Sequence, residues 1–416
     1  MIHTHTLSNG LRVIMERMPS LRSVSIGVWV KAGSMLELPQ ENGLSHLMEH
    51  MAFKRTQTRS ARQLAEEMDA IGGHMNAATS KLYTVYYAKV TDTDLEKAVD
   101  LLADITCRPL IDPQDLAKEK NVVAEEIAMV DDSPEETVYD LLNEALYQGQ
   151  SLAMPITGTR EQIAAYTQAD LAAFRSKHYT PANAVIAVAG HFKVDTFVAM
   201  LEQHFGGWHG TTEADFPPNR ANAQPVRLAC DKRSEQTHLC LGYEGIHHED
   251  PRKYAMMALN ALFGGGVSSR LFQRVREEKG LVYSIYSAPS SYPGCGDFAV
   301  YAAAAPRSAA RVVREVLDEG DRLLKEGISE QELAQAKAQL RTGFVLSQES
   351  AYSRMSSLGT QALLRSKVTL PAQTLRGIDR VTTKAVMALA EQLFRQQPSM
   401  AVVGRNADRL ISEKLR

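Results

Sequence analysis

Residues 11–15 and 24–30 are rich in Val and Ile and alternate in polarity, with a turn at Pro19-Ser20 between them. A period of two over runs this short predicts a pair of strands. The pattern returns at residues 226–230 and 237–243, on either side of a polar turn around Arg233-Ser234-Glu235. The ends echo one another as well: Ile163, Thr167 and Leu171 followed by the apolar run 183–190 match Ile378, Thr382 and Val386 followed by residues 400–404. The offset is 378 − 163 = 215 at the first pair and 404 − 190 = 214 at the last. A near-constant offset predicts a duplicated domain.

Between the repeats lie amphipathic stretches with helical spacing, at residues 61–71, 95–105, 113–130 and 309–325. Strands mixed with long helices predict an α+β fold of two homologous domains, each with one sheet packed by helices. Residues 216–225 contain Pro217-Pro218 among small and polar residues, a composition that suits an exposed linker. The expected organisation is a domain at 1–213, a linker at 214–225 and a second domain at 226–416.

Length and charge change this picture little. A chain of 416 residues is long enough for two cores. A net charge of -3 gives no overall electrostatic case for nucleic acid or an anionic membrane. No apolar window reaches the length of a membrane span, and residues 1–10 lack a basic stretch followed by an apolar one. Cys107, Cys230, Cys240 and Cys295 are scattered without C-x-x-C spacing, which favours free thiols and a reducing compartment. The expectation is a cytoplasmic protein with neither nucleic acid nor membrane as partner.

The chemistry concentrates in His46-Leu47-Met48-Glu49-His50, inside the apolar-periodic segment 43–53. On a helix, His46 and His50 stand one turn apart on one face, and Glu49 lies about 60° around from His46. Two neutral imidazoles and a carboxylate can hold zinc with a fourth position open, while a second carboxylate nearby accepts a proton from water. The order H-x-x-E-H is the inverse of the common zinc-peptidase motif. At the corresponding place the second half reads Asp250-Pro251-Arg252-Lys253-Tyr254-Ala255-Met256-Met257, and His247-His248, too close for an i, i+4 pair, reads as loop.

A third ligand is needed, and the predicted helix 113–130 offers three glutamates. Leu116, Val123, Ile127 and Val130 make its apolar stripe. Glu125 falls on the solvated side with Lys118, Asn121 and Asp132, whereas Glu126 lies beside Val122, Val123 and Met129, with Glu119 two turns back on the same flank. A carboxylate on an apolar flank needs a partner, and a metal would supply one. The helical pattern leaves both Glu119 and Glu126 open.

Gly33-Ser34, the block from Gly43 to Lys54, Asn76-Ala77, Glu125-Glu126-Ile127 and Ser269-Arg270-Leu271-Phe272-Gln273 together resemble the pitrilysin family, which includes mitochondrial processing peptidase and insulin-degrading enzyme. The resemblance runs across nearly the whole chain. It selects Glu126 over Glu125 as third ligand, since 126 − 50 = 76 agrees with a family spacing of roughly 75 residues, and gives Glu119 a supporting role behind the metal. Arg55, where a glycine is usual, and Met48, where leucine is commoner, depart from the family pattern without touching a ligand.

The resemblance implies more than the ligands. Residues 72–90 read as a turn and an antiparallel hairpin; the family makes its first strand a sheet edge to which an extended peptide adds, with Asn76 and Ala77 as substrate contacts. Residues 269–278 read as a helix stopped by Gly280, and 281–286 as a strand, which puts Arg276 and Tyr283 seven residues apart like the family pair that holds substrate carbonyls and the developing oxyanion. Gly264-Gly265-Gly266 lacks the Lys-Ser or Lys-Thr of a phosphate loop. The activity implied is that of a zinc metalloendopeptidase with one zinc per chain, acting on peptides or unfolded segments in a closed chamber. His46, His50 and Glu126 are then the metal ligands, and Glu49 is the general base. Longer members carry four such domains, so this chain is expected to form a homodimeric clamshell with Arg276 and Tyr283 supplied in trans. The alternative is a noncatalytic or partner-dependent subunit, which the complete H-x-x-E-H disfavours.

Overall fold

The run 184–190 is apolar at almost every position, which a strand tolerates only when both faces of its sheet are covered. The computed structural model describes residues 2–365 and 367–412 and shows that cover. Met1 and residues 413–416, the outer ends of the two expected domains, lie outside the described residues. The chain forms two compact units, one of residues 1–127, 155–217 and 345–369, the other of residues 128–154, 218–344 and 370–416.

The first unit is built on β1 (Ile2–Thr6), β2 (Arg12–Arg17), β3 (Ser23–Val30), β4 (His74–Thr79), β5 (Thr84–Thr91) and β6 (Ala184–Gly190), in the order β1-β2-β6-β3-β5-β4. Every neighbouring pair is antiparallel except β2 with β6. Alternation sorts the side chains: Val24, Ile26 and Val28 of β3 and Ile186 and Val188 of β6 enter the main core under several helices. On the opposite face, Trp29, Val185, Ala187 and Ala189 meet Met355, Leu358 and Leu363 of the helix Ala351–Leu364. Gly359 permits that contact, because a Cβ there would overlap the Trp29 indole.

The second unit repeats the plan with β7 (Arg227–Asp231), β8 (Thr237–Glu244), β9 (Val282–Ser291), β10 (Gly296–Ala304) and β11 (Ser399–Gly404), ordered β7-β11-β8-β10-β9. Again one pair, β7 with β11, is parallel and the rest are antiparallel. Phe298, Val300 and Ala302 of β10 fill the main core. The other face is covered by the helix Pro134–Tyr147, whose Leu142 lies where a Cβ on Gly242 would come within 2.8 Å. Each unit therefore takes one covering helix from the other half of the sequence.

The expected α+β class, with a mainly antiparallel sheet in each half, is what the structure has. Two strands escaped the sequence pattern: β1, whose mixed Ile2-His3-Thr4-His5-Thr6 carries little apolar signal, and β10. Residues Phe272–Glu278 wind as a π-helix in place of the expected α-helix. Among the described residues no helix is long and apolar enough to cross a membrane. All four cysteines are free.

Candidate metal centre

The helix Leu44–Ala52 owes its start to an unusual cap. Gly43 adopts φ +92°, a conformation that suits glycine, and its Cα packs so closely that a Cβ would lie 2.7 Å from the Thr157 carbonyl oxygen. No side chain at Gly43 can cap the first turn, so the buried Glu37 does it: its carboxylate accepts from the Gly43 amide at 2.9 Å and the Ser45 amide at 2.7 Å. Burial pushes the Glu37 pKa up, and these donors, which favour its anion at the positive end of a helix, oppose the rise. Leu44, Leu47, Met48 and Met51 bury one side of the helix. His46, Glu49 and His50 stand on the partly open side.

Three of the expected site residues converge here. The ligand atoms of His46, His50 and Glu126 all lie within 4.8 Å of one another. Glu126 Oε2 is 3.6 Å from His46 Nε2 and 3.4 Å from His50 Nε2. Donors about 2.0–2.2 Å from a tetrahedral zinc are spaced roughly 3.3–3.6 Å apart, and the two separations from Glu126 to the histidines match that spacing. Burial, with the neighbouring His50, pushes the His46 pKa down to about 4 and keeps its ring in the neutral, ligand-competent form.

Glu119 and Glu126 divide the work along the helix Pro113–Asp132. The helix buries Leu116, Glu119, Val123 and Ile127, while Val122 and Met129 are exposed, so the flank that looked apolar in sequence is open to solvent. Glu119 is the buried carboxylate. Its Oε2 meets His50 Nδ1 at 3.1 Å and its Oε1 meets the Lys54 ammonium at 2.7 Å. An acceptor at Nδ1 favours the tautomer that leaves the Nε2 lone pair free for a metal. Sequence alone assigns Lys54 no role, although it closes the block that carries the histidines.

Glu49 projects beside this cluster, and its Oε2 accepts a 2.5 Å hydrogen bond from Thr79 Oγ1. Thr79 in turn meets Thr84, whose hydroxyl donates to the Ala32 carbonyl. Burial raises the Glu49 pKa, and the Thr79 hydrogen bond works against that rise. Thr79 too escapes a reading of the sequence. The strand alternation that pairs it with Ala77 on one face is the available signal.

β4 is the edge strand of its sheet, hydrogen-bonded only to β5. Asn76 is exposed on it, its Oδ1 accepting from the Ala77 amide at 2.9 Å, and Ala77 is buried. In the second unit β9 is likewise an edge. There the Arg276 guanidinium lies 5.4 Å from the centre of the Tyr283 ring and 4.7 Å from that of Phe272. Tyr283 is 72% exposed. His74 is exposed, and His247 and His248 are in a loop.

Known proteins supply a context for this geometry. A family described as insulinase, peptidase family M16, matches residues 12–160, and one described as the peptidase M16 inactive domain matches residues 165–340. A Bacillus subtilis protein named an uncharacterised zinc protease is 40% identical over 97% of this chain and 98% of its own length. A Mycobacterium leprae protein of similar name is 40% identical over 97% of this chain and 92% of its own. Among solved structures, a protease from Helicobacter pylori superposes with a TM-score of 0.91 at 22% identity, covering 97% of this chain and 99% of that one. A peptidase M16 inactive domain from Pseudomonas fluorescens gives 0.90 at 23% identity, with coverage of 97% and 98%.

Proposed function

We propose that this chain, which belongs to the insulinase family of peptidases, M16, is a zinc metalloendopeptidase that hydrolyses peptides or unfolded polypeptide segments. The reading rests on one observation above the rest, the convergence of His46, His50 and Glu126, their ligand atoms all within 4.8 Å of one another, with Glu49 alongside. Those three side chains would hold one zinc ion per chain. Zinc bound there supplies Lewis-acid polarisation of the scissile carbonyl and makes water a stronger nucleophile at neutral pH.

The protein's own groups do the rest. Glu49, held by Thr79, takes the proton of the attacking water and returns it to the departing amine. Glu119 and Lys54 fix the orientation of His50. An extended substrate adds to the free edge of β4 through main-chain hydrogen bonds, contacting Asn76 and Ala77, which makes recognition tolerant of sequence. Arg276 and Tyr283 bind substrate carbonyls, and the tyrosine hydroxyl donates to the developing oxyanion. We further propose that two copies of the chain form a closed chamber, each providing Arg276 and Tyr283 to the other. The four free thiols suit a reducing compartment such as the cytoplasm.

The test uses the purified chain, a quenched peptide substrate and elemental analysis. Glu49→Gln should retain the metal while cleavage falls by about 10³-fold or more. Mixing Glu49→Gln chains with Arg276→Ala/Tyr283→Phe chains should restore activity in mixed dimers. Full cleavage by Glu49→Gln would remove the general-base assignment, and no rescue in the mixture would remove sharing between copies.

A further inference from the structure

We propose that the second unit carries a binding site for a small phosphate monoester, in a cavity remote in sequence from every metal-centre residue. The cavity has a volume of about 370 Å³ and is lined by Thr237, Arg307, Ala310, Arg405, Arg409 and Leu410, among others. Its position follows from the sheet. β10 and β11 both run antiparallel to β8 and flank it, so they are parallel to each other and their carboxyl ends come out together beside Thr237, the first residue of β8. Arg307 follows the end of β10, and Arg405 and Arg409 follow the end of β11.

Three observations point to an anion. Arg307, Arg405 and Arg409 make no ion pair among the described residues, and no acidic residue lines the cavity, Asp408 included. The Asp231 carboxylate accepts from the Asn406 amide at 2.9 Å but pairs with none of the three arginines, so a bound dianion would offset their charge while accepting forked hydrogen bonds. Thr237, only 2% exposed, lines the cavity with a hydroxyl that has no hydrogen-bond partner among the described residues. The hydroxyl is not sealed from solvent, so an oxygen of a ligand entering the cavity can pair with it. The helix Ala309–Glu326 also begins at the cavity, and Ser308 gives it no side-chain cap, so its positive end is left to favour an anion.

The size and lining decide between anions. The volume exceeds what inorganic phosphate needs and falls within the range of small-metabolite pockets. Pro306, Ala310 and Leu410 offer apolar surface for an organic body. A dianionic phosphate has three terminal oxygens for the three arginines, where a single carboxylate has two.

Calorimetric titration of the whole protein with adenosine 5′-monophosphate and with glucose 6-phosphate tests this. At least one should bind saturably, adenosine and glucose should not, and inorganic phosphate should compete. Arg405→Ala/Arg409→Ala should weaken binding at least tenfold. Thr237→Val should weaken it less, and Thr237→Ser should restore it. Because the arginines are exposed, the double variant keeps its fold, and unchanged peptide cleavage by it shows that any loss is local. Binding of neither ester, equal affinity in the double variant, or tighter binding of an acidic peptide than of either ester would each overturn the proposal.

Discussion

The two units share one sheet plan, down to the single parallel pair and the free edge, yet only the first gathers metal ligands among the described residues. The difference lies in the helix that comes after β3 in the first unit and after β8 in the second. In the first, Leu44–Ala52 turns His46, Glu49 and His50 to its open side. In the second, Lys253–Phe263 presents Ala255, Met256, Ala258, Leu259, Leu262 and Phe263, all buried. The same scaffold therefore serves once as a metal cradle and once as a packed core. The side chains of two helices, Leu44–Ala52 and Pro113–Asp132, set the chemistry of the first unit while the sheet order stays as it was.

The largest expected effect comes from breaking the distinguishing helix. His50→Ala should lose both zinc and cleavage, whereas His247→Ala and His248→Ala should keep full metal content and activity. Elemental analysis beside a peptide assay checks this, and metal loss in either loop variant would put a ligand in the wrong unit.

Next is the support behind His50. Lys54→Met leaves Glu119 buried without its cation, and zinc affinity should fall by about 10–100-fold. Competition with a chromophoric chelator measures it. Unchanged affinity would mean that Glu119 orients His50 unaided.

The covering helices offer a third comparison. Gly359→Val forces a branched side chain against the rigid Trp29 indole, and should destabilise by about 1–3 kcal/mol. Gly242→Ala meets only the methyl ends of Leu142 and Leu146, which can turn aside, so its cost should stay below about 1 kcal/mol. Denaturant unfolding ranks them. The reverse order would show that the indole face is the softer contact.

The smallest effect is a difference in pH dependence. Asp297 in the second unit is pushed up to about 7 by burial, with a hydrogen bond from the Tyr147 hydroxyl opposing. From its ordinary value of 3.8 to about 7, unfolded chains release this proton and folded ones hold it, so stability falls as pH rises through that window and then levels. His46 acts in the opposite sense in metal-free protein: between 6.5 and about 4 the unfolded imidazole takes up a proton first, and stability falls as pH drops. Melting curves from pH 4 to 8 should show Asp297→Asn flattening the loss toward neutral pH. An identical profile in that variant would mean that Asp297 ionises normally.

Much of the fold and site is legible in sequence because it is local or periodic. The i, i+4 histidines advertise a shared helix face, and the 214-residue offset between Gly190 and Gly404 reflects two strands filling one role. The assignment of Glu126 needs the family spacing, since helical periodicity alone leaves Glu119 equally open. The hidden features depend on distant partners. Nothing around residues 134–147 or 351–364 marks them as covers for the sheet of the other sequence half. Lys54 and Thr79 gain meaning only once Glu119 and Glu49 stand beside them. The π-winding of Phe272–Glu278 is likewise invisible to a pattern that separates helix from strand.

Whether His46, His50 and Glu126 together hold one ion can be seen in a crystal of zinc-loaded protein measured at the zinc absorption edge. A single anomalous peak per chain is expected, within bonding distance of His46 Nε2, His50 Nε2 and a Glu126 carboxylate oxygen. A peak bound elsewhere, or full occupancy with Glu126 turned out to solvent, would mean that these three side chains do not form the metal site.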